Sequence, residues 1–135
     1  MRLKLATSFA LVAVLLLFCG PTFAHHGTNA SYDTSKRITL KGTVTEFAFS
    51  NPHLQIYFDV KDESTGKMVH WAGEVADAPF QAKRSGWTKE TLKPGDQITL
   101  VGSPSRSGSN NMVVRQVVLA DGKTLSGGGG GPGVE

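Results

Sequence analysis

The chain has 135 residues, with 14 basic side chains against 11 acidic ones and a formal net charge of +3. Its first 24 residues read as a removable export signal, and without Arg2 and Lys4 the basic count falls from 14 to 12 and the net charge from +3 to +1. The 111 residues that then remain of 135 suit one compact domain and leave no room for two. They also lack the surplus of lysine and arginine with which a protein grips nucleic acid.

The leader comes first in chain order. Arg2 and Lys4 give a positive start, Leu11 to Phe18 an apolar stretch, and Thr22-Phe23-Ala24 small residues where a signal peptidase reads. The apolar stretch falls short of the roughly 20 residues of a membrane-spanning helix. Cleavage after Ala24 is therefore expected, giving a mature chain that begins at His25, is delivered to the periplasm and has no membrane attachment. The only cysteine, Cys19, lies inside the leader. Lipoprotein processing would retain it as an acylated first residue, but that route wants a small residue in front, where Phe18 stands. Cleavage after Ala24 leaves neither a disulfide nor a thiolate.

Residues 25–35 are polar and aperiodic, a loose arm. Residues 36–125 carry the core. Arg37 to Phe49 reads as a strand with Ile38, Leu40 and Val44 on one parity; Phe47 and Phe49 then continue the opposite parity, a phase slip that predicts a bulge, with Gly42 easing the coiling. Asn51-Pro52 ends it. Leu54, Ile56, Phe58 and Val60 alternate with His53, Gln55, Tyr57, Asp59 and Lys61, a half-buried second strand; after a hairpin loop at 62–66, Val69, Trp71, Gly73 and Val75 mark a third. A short helix follows, with Asp77 as its expected cap, Pro79 in its first turn and Gly86 as its stop. Trp87 and Leu92 read as packing residues beneath a second short turn begun by Thr88.

Pro94-Gly95-Asp96 is a turn, Gln97 to Val101 a fourth strand, Ser103 to Asn111 a polar loop, and Met112 to Ala120 a fifth strand closed by Asp121-Gly122. Valines on both parities of the fifth strand fit a strand covered on both faces. Residues 126–135, Ser-Gly-Gly-Gly-Gly-Gly-Pro-Gly-Val-Glu, have nothing to bury and read as a disordered tail. Three strands, a short helix and two more strands predict an all-β domain, a small five-stranded OB-like barrel, with an open β-sandwich as the alternative.

The residues His25-His26, Tyr32-Asp33, Leu40-Lys41-Gly42-Thr43-Val44, Asn51-Pro52-His53, Gly86-Trp87, Leu92-Lys93-Pro94-Gly95-Asp96, Gly102-Ser103-Pro104 and Asp121-Gly122 together resemble a family of exported bacterial proteins, domain of unknown function 6152. The resemblance spans nearly the whole mature chain. It implies export and a compact β-fold, and carries no activity with it.

Four histidines, at 25, 26, 53 and 70, are the whole supply of imidazole ligands. Registers that keep the faces of the second and third strands matched set His53 and His70 four to six residues apart, roughly 13 to 20 Å, too far for one metal. His70 falls opposite Tyr57 or Asp59, which predicts a surface pair with Asp59. Cleavage would give His25 a free α-amine beside its own imidazole, with His26 adjacent and His53 within reach of a folded-back arm. Amine and imidazole nitrogens suit copper above other divalent metals.

The outer face of the second and third strands offers a different site. Gln55, Tyr57, Asp59, His70 and Glu74 form a candidate surface for a small molecule or a periplasmic partner protein, with Asp59 and Glu74 repelling polyanions. Trp71 and Trp87 read as core. A mature cysteine, a Gly-x-Ser-x-Gly elbow and a His-Glu-x-x-His helix are all missing, and no catalysis is expected.

Overall fold

The computed structural model describes residues 28–128. In chain order these form α1 (Thr28–Ser31), β1 (Ile38–Ala48), β2 (Leu54–Lys61), β3 (Met68–Val75), α2 (Pro79–Arg84), β4 (Gln97–Pro104), β5 (Asn111–Val118) and β6 (Thr124–Ser126). No helix among the described residues is long and apolar enough to cross a membrane.

Antiparallel neighbours run β3-β2-β1-β4-β5-β6, and a parallel pairing of β3 with β5 joins the two sides of the sheet. Five strands are thereby closed, with α2 between β3 and β4, which is the connectivity of the OB-like barrel rather than an open sandwich. Closure works because β1 is long enough to serve two partners. Its first part, from Ile38 to Thr43, pairs with β4, and its second, from Thr43 to Ala48, pairs with β2.

The phase slip in β1 is a bulge. The register with β2 shifts between Val44 and Glu46, so Phe47 comes opposite the buried Ile56 and stays on the core side with Val44. Phe49 meets Phe47 edge-on at 6.1 Å, and Phe47 in turn packs on Trp87 at 5.7 Å. Gly42 is buried at the crossing of β1 over β2, where a Cβ would lie 2.7 Å from the Asp59 carbonyl oxygen and 2.8 Å from the Phe58 ring.

Leu54, Ile56 and Phe58 of β2 are fully buried, as are Leu100 of β4 and Met112, Val114 and Val117 of β5. Trp71 is half-buried against this core and Trp87 wholly within it. Val113, on the opposite parity from Met112 and Val114, is also buried, so this part of β5 is covered on both faces. Its register partners are Glu74 of β3 and Ser103 of β4.

Four local expectations need correction. The cap of α2 is Ala78, whose N–H donates to the Gln81 side chain at 3.1 Å; Asp77 turns its carboxylate against Gly128 instead. The polar loop before β5 is shorter than expected, because β4 runs on to Pro104 and β5 starts at Asn111. Residues 28–35 are not a loose arm throughout, since Thr28–Ser31 forms a helical turn and Tyr32 bridges to Ser105.

The fourth concerns the glycine-rich tail, whose first residues are built into the barrel. Ser126 ends β6, paired with Gln116 of β5; the Gly127 N–H donates to the Arg115 carbonyl at 2.8 Å, and the Ala76 N–H to the Gly127 carbonyl at 2.9 Å. β6 thus takes up the edge of β5 beyond the stretch that β3 covers. The indole N–H of Trp87 donates to the Ser126 carbonyl at 2.8 Å, which ties β6 to the residues following α2.

Candidate functional site

Strands β2 and β3 place their polar side chains on the outer face in register. Gln55 stands opposite Glu74, Tyr57 opposite Ala72, and Asp59 opposite His70. The five outer-face residues therefore form two cross-strand pairs, four residues apart along the ladder, or roughly 13 Å at the strand rise. Tyr57, 40% exposed, lies between them.

At one end the His70 imidazole contacts the Asp59 carboxylate through Nδ1, the expected surface pair. His70 remains largely open to solvent, while Asp59 is half-buried. At the other end, Glu74 is the centre of a larger group. Its Oε1 lies 3.8 Å from Nε2 of His53, and its Oε2 accepts a hydrogen bond from the Tyr32 hydroxyl at 3.2 Å. His53 and His70 are thus at opposite ends of the face: His53 lies six residues before Asp59, the partner of His70, or roughly 20 Å away.

Tyr32 was not among the residues expected at the site. It comes from the arm, 42 positions before Glu74, and reaches it because the arm is fastened to the end of β4 and the loop after it. The Asp33 N–H donates to the Pro104 carbonyl at 2.8 Å, and the Arg106 N–H to the Ser31 carbonyl at 3.0 Å. The Asp33 carboxylate accepts from the Ser35 hydroxyl at 2.6 Å and lies 3.3 Å from the Lys36 ammonium. These contacts, the Ser35 hydroxyl first, hold its pKa below the usual carboxylate value.

Between the arm and the β4–β5 loop lies an open cleft of about 650 Å³, lined in part by Ser31, Tyr32, Arg106 and Asn111. Its loop serines bond one another, Ser105 to Ser107 at 2.9 Å and Ser107 to Ser109 at 3.0 Å. Tyr32 itself has its pKa pushed up to about 12, chiefly by burial and then by the adjacent Glu74 carboxylate, which disfavours a second negative charge. The phenol is a fixed proton donor to Glu74 across the physiological range.

His53 presents an unusual ring. Its side chain is 41% exposed, yet Nδ1 is shut off from solvent and has no hydrogen-bond partner. A buried imidazole nitrogen ordinarily has one. Among the described residues no group of three or more His, Cys, Asp or Glu side chains could hold a metal ion. Of the expected metal ligands, His53 is the one the structure describes; His25 and His26 lie outside the described residues, His26 two positions before α1.

The family model of DUF6152, a family of unknown function, matches residues 13–114. The chain belongs to this family. The match takes in the arm, the whole β2–β3 face and Tyr32, His53 and Glu74, and stops within β5. No curated protein matches the chain. The DUF6152 chain thus has a closed barrel whose arm is fastened over one end of the outer face, where Glu74 joins it to His53.

Proposed function

We propose that this DUF6152 protein is an exported, periplasmic binding module that holds a transition metal, copper above all, at the N-terminus formed by cleavage after Ala24. The ligands are the α-amine and imidazole of His25 and the imidazoles of His26 and His53. The protein is assigned a binding role and no reaction.

The observation that carries this reading is His53. One ring nitrogen faces a carboxylate, as second-shell partners of metal-bound imidazoles do, while the other is buried and lacks any partner. The arm that would deliver the remaining nitrogens is fastened to the same carboxylate through Tyr32. From Tyr32 back to His26 is six residues, and because α1 takes up four of them the span is roughly 15 Å at most. Nitrogen donors of this kind would favour copper among the divalent metals.

The test is copper titration of processed protein beginning at His25, beside the same protein acetylated on its α-amine, which removes that donor. The acetylated form is expected to bind at least about tenfold more weakly, from the loss of one nitrogen ligand. Affinity should also fall as the pH drops below ~8, where the α-amine holds its proton. Equal binding by the two forms overturns the amine chelate. Absence of copper binding in both overturns the metal reading and leaves the outer face around Gln55 and Tyr57 as a surface for a small molecule or partner protein.

A further inference from the structure

The open cleft between the arm and the β4–β5 loop has no part in the copper reading, and its lining is chemically one-sided. Tyr32 stands on the arm side, and Ser105, Arg106, Ser107, Ser109 and Asn111 on the loop side. Arg106 is the one charged side chain among the described lining residues. It lies 3.9 Å from Asp33, whose carboxylate is also 3.3 Å from Lys36, so this group has two cations for one carboxylate and a surplus of positive charge. Glu74 accepts the Tyr32 hydroxyl at 3.2 Å and lies outside the lining. The loop hydroxyls form a directed chain. Ser107 gives its single hydroxyl proton to Ser109 at 3.0 Å, so in the 2.9 Å contact with Ser105 it is the acceptor and Ser105 the donor. Ser109 also accepts from the Asn111 amide at 3.3 Å. Accepting twice, Ser109 turns its own proton out of the chain, and the donors behind it strengthen that O–H.

We propose that this cleft binds a small organic anion, its carboxylate or phosphate oxygens held by the Arg106 guanidinium and the Ser109 hydroxyl and the rest of the molecule lying along Tyr32. A guanidinium and a polarised hydroxyl both donate, and an oxyanion accepts from both through charge-assisted hydrogen bonds. At about 650 Å³ the cleft falls in the range of small-molecule sites and is far larger than a bare inorganic ion, which calls for an organic body on the ligand. Both walls are in place beforehand. The Arg106 N–H donates to the Ser31 carbonyl at 3.0 Å, which ties loop to arm, and Glu74 fixes the Tyr32 ring through its hydroxyl, so little ordering remains to be done on binding. The site needs neither His53 nor a metal.

Processed protein without added metal is titrated with phenyl phosphate, benzoate, inorganic phosphate and benzyl alcohol, and binding is followed through amide chemical shifts. Phenyl phosphate, benzoate or both are expected to move the signals of residues 30–32 and 105–111, and the tighter of the two identifies the head group. Arg106→Gln and Ser109→Ala should each weaken that anion by about tenfold, in keeping with hydrogen bonds to a charged group. Raising the salt concentration should weaken it further. The proposal is overturned if neither organic anion moves those signals, or if both variants bind the anion as the parent does. Benzyl alcohol binding as tightly as benzoate removes the role of charge and overturns it too, and inorganic phosphate binding as tightly as phenyl phosphate removes the organic part with the same result. Should Arg106→Gln disturb residues 28–35 before any ligand is added, Ser109→Ala decides alone, because its side chain is exposed and away from the core; unchanged affinity then overturns the site. All these outcomes leave the metal reading untouched.

Discussion

Tyr32 donates its hydroxyl proton to Glu74 from a partly buried position, and its pKa rises from the ordinary 10.0 to about 12. A raised folded-state value means that the protonated phenol is the form the fold favours. The contribution of this contact is complete below pH 10, declines as the pH climbs and is gone above about 12, where phenolate and carboxylate repel. The chain has two tyrosines, so an ultraviolet titration should show one of them resisting ionisation until about pH 12, and Tyr32→Phe should abolish that late step. Legibility at this scale followed distance along the chain. The pair of His70 with Asp59 could be read because alternation fixes the face and a short hairpin narrows the register to two candidates. Tyr32 could not, because its partner lies 42 positions away and the contact depends on how the arm meets the end of β4.

Among the elements, β1 was the best specified by pattern, because a bulge must shift parity and Phe47 and Phe49 show the shift plainly. The close approach that the bulge and coil permit should be intolerant of side chains. Gly42→Ala places a methyl against the Asp59 carbonyl and the Phe58 ring, and Gly102→Ala runs into the Val113 carbonyl; each is expected to destabilise by about 1 to 3 kcal/mol in denaturant unfolding. Trp87 is the second point of leverage. It is fully buried, packs on Phe47 and bonds the Ser126 carbonyl, so Trp87→Phe should cost about 1 to 3 kcal/mol through a lost hydrogen bond and a partial void. The strand β6 was not legible. Thr-Leu-Ser before five glycines shows no alternation long enough to mark a strand, and only the unpaired edge of β5 beyond β3 gives Leu125 somewhere to go. Asp77 was chosen as a cap on residue type, but its carboxylate is drawn to the chain beyond β6, a partner that local sequence does not reveal.

At the scale of the whole molecule, strand order and the helix between β3 and β4 could be read from alternation and turn residues, and closure through β3 and β5 follows from them. What could not be read is that one end of the outer face carries a fastened segment while the other stays open at His70. Among the described residues, those near the C-terminal end also fasten the barrel: Leu125, the Ser126 carbonyl under Trp87, and the Gly127 amide on Arg115. A ribosome still holding those residues keeps the end of β5 bare and the indole of Trp87 without its acceptor. The barrel accordingly stays unlatched until Gly127 is free to pair.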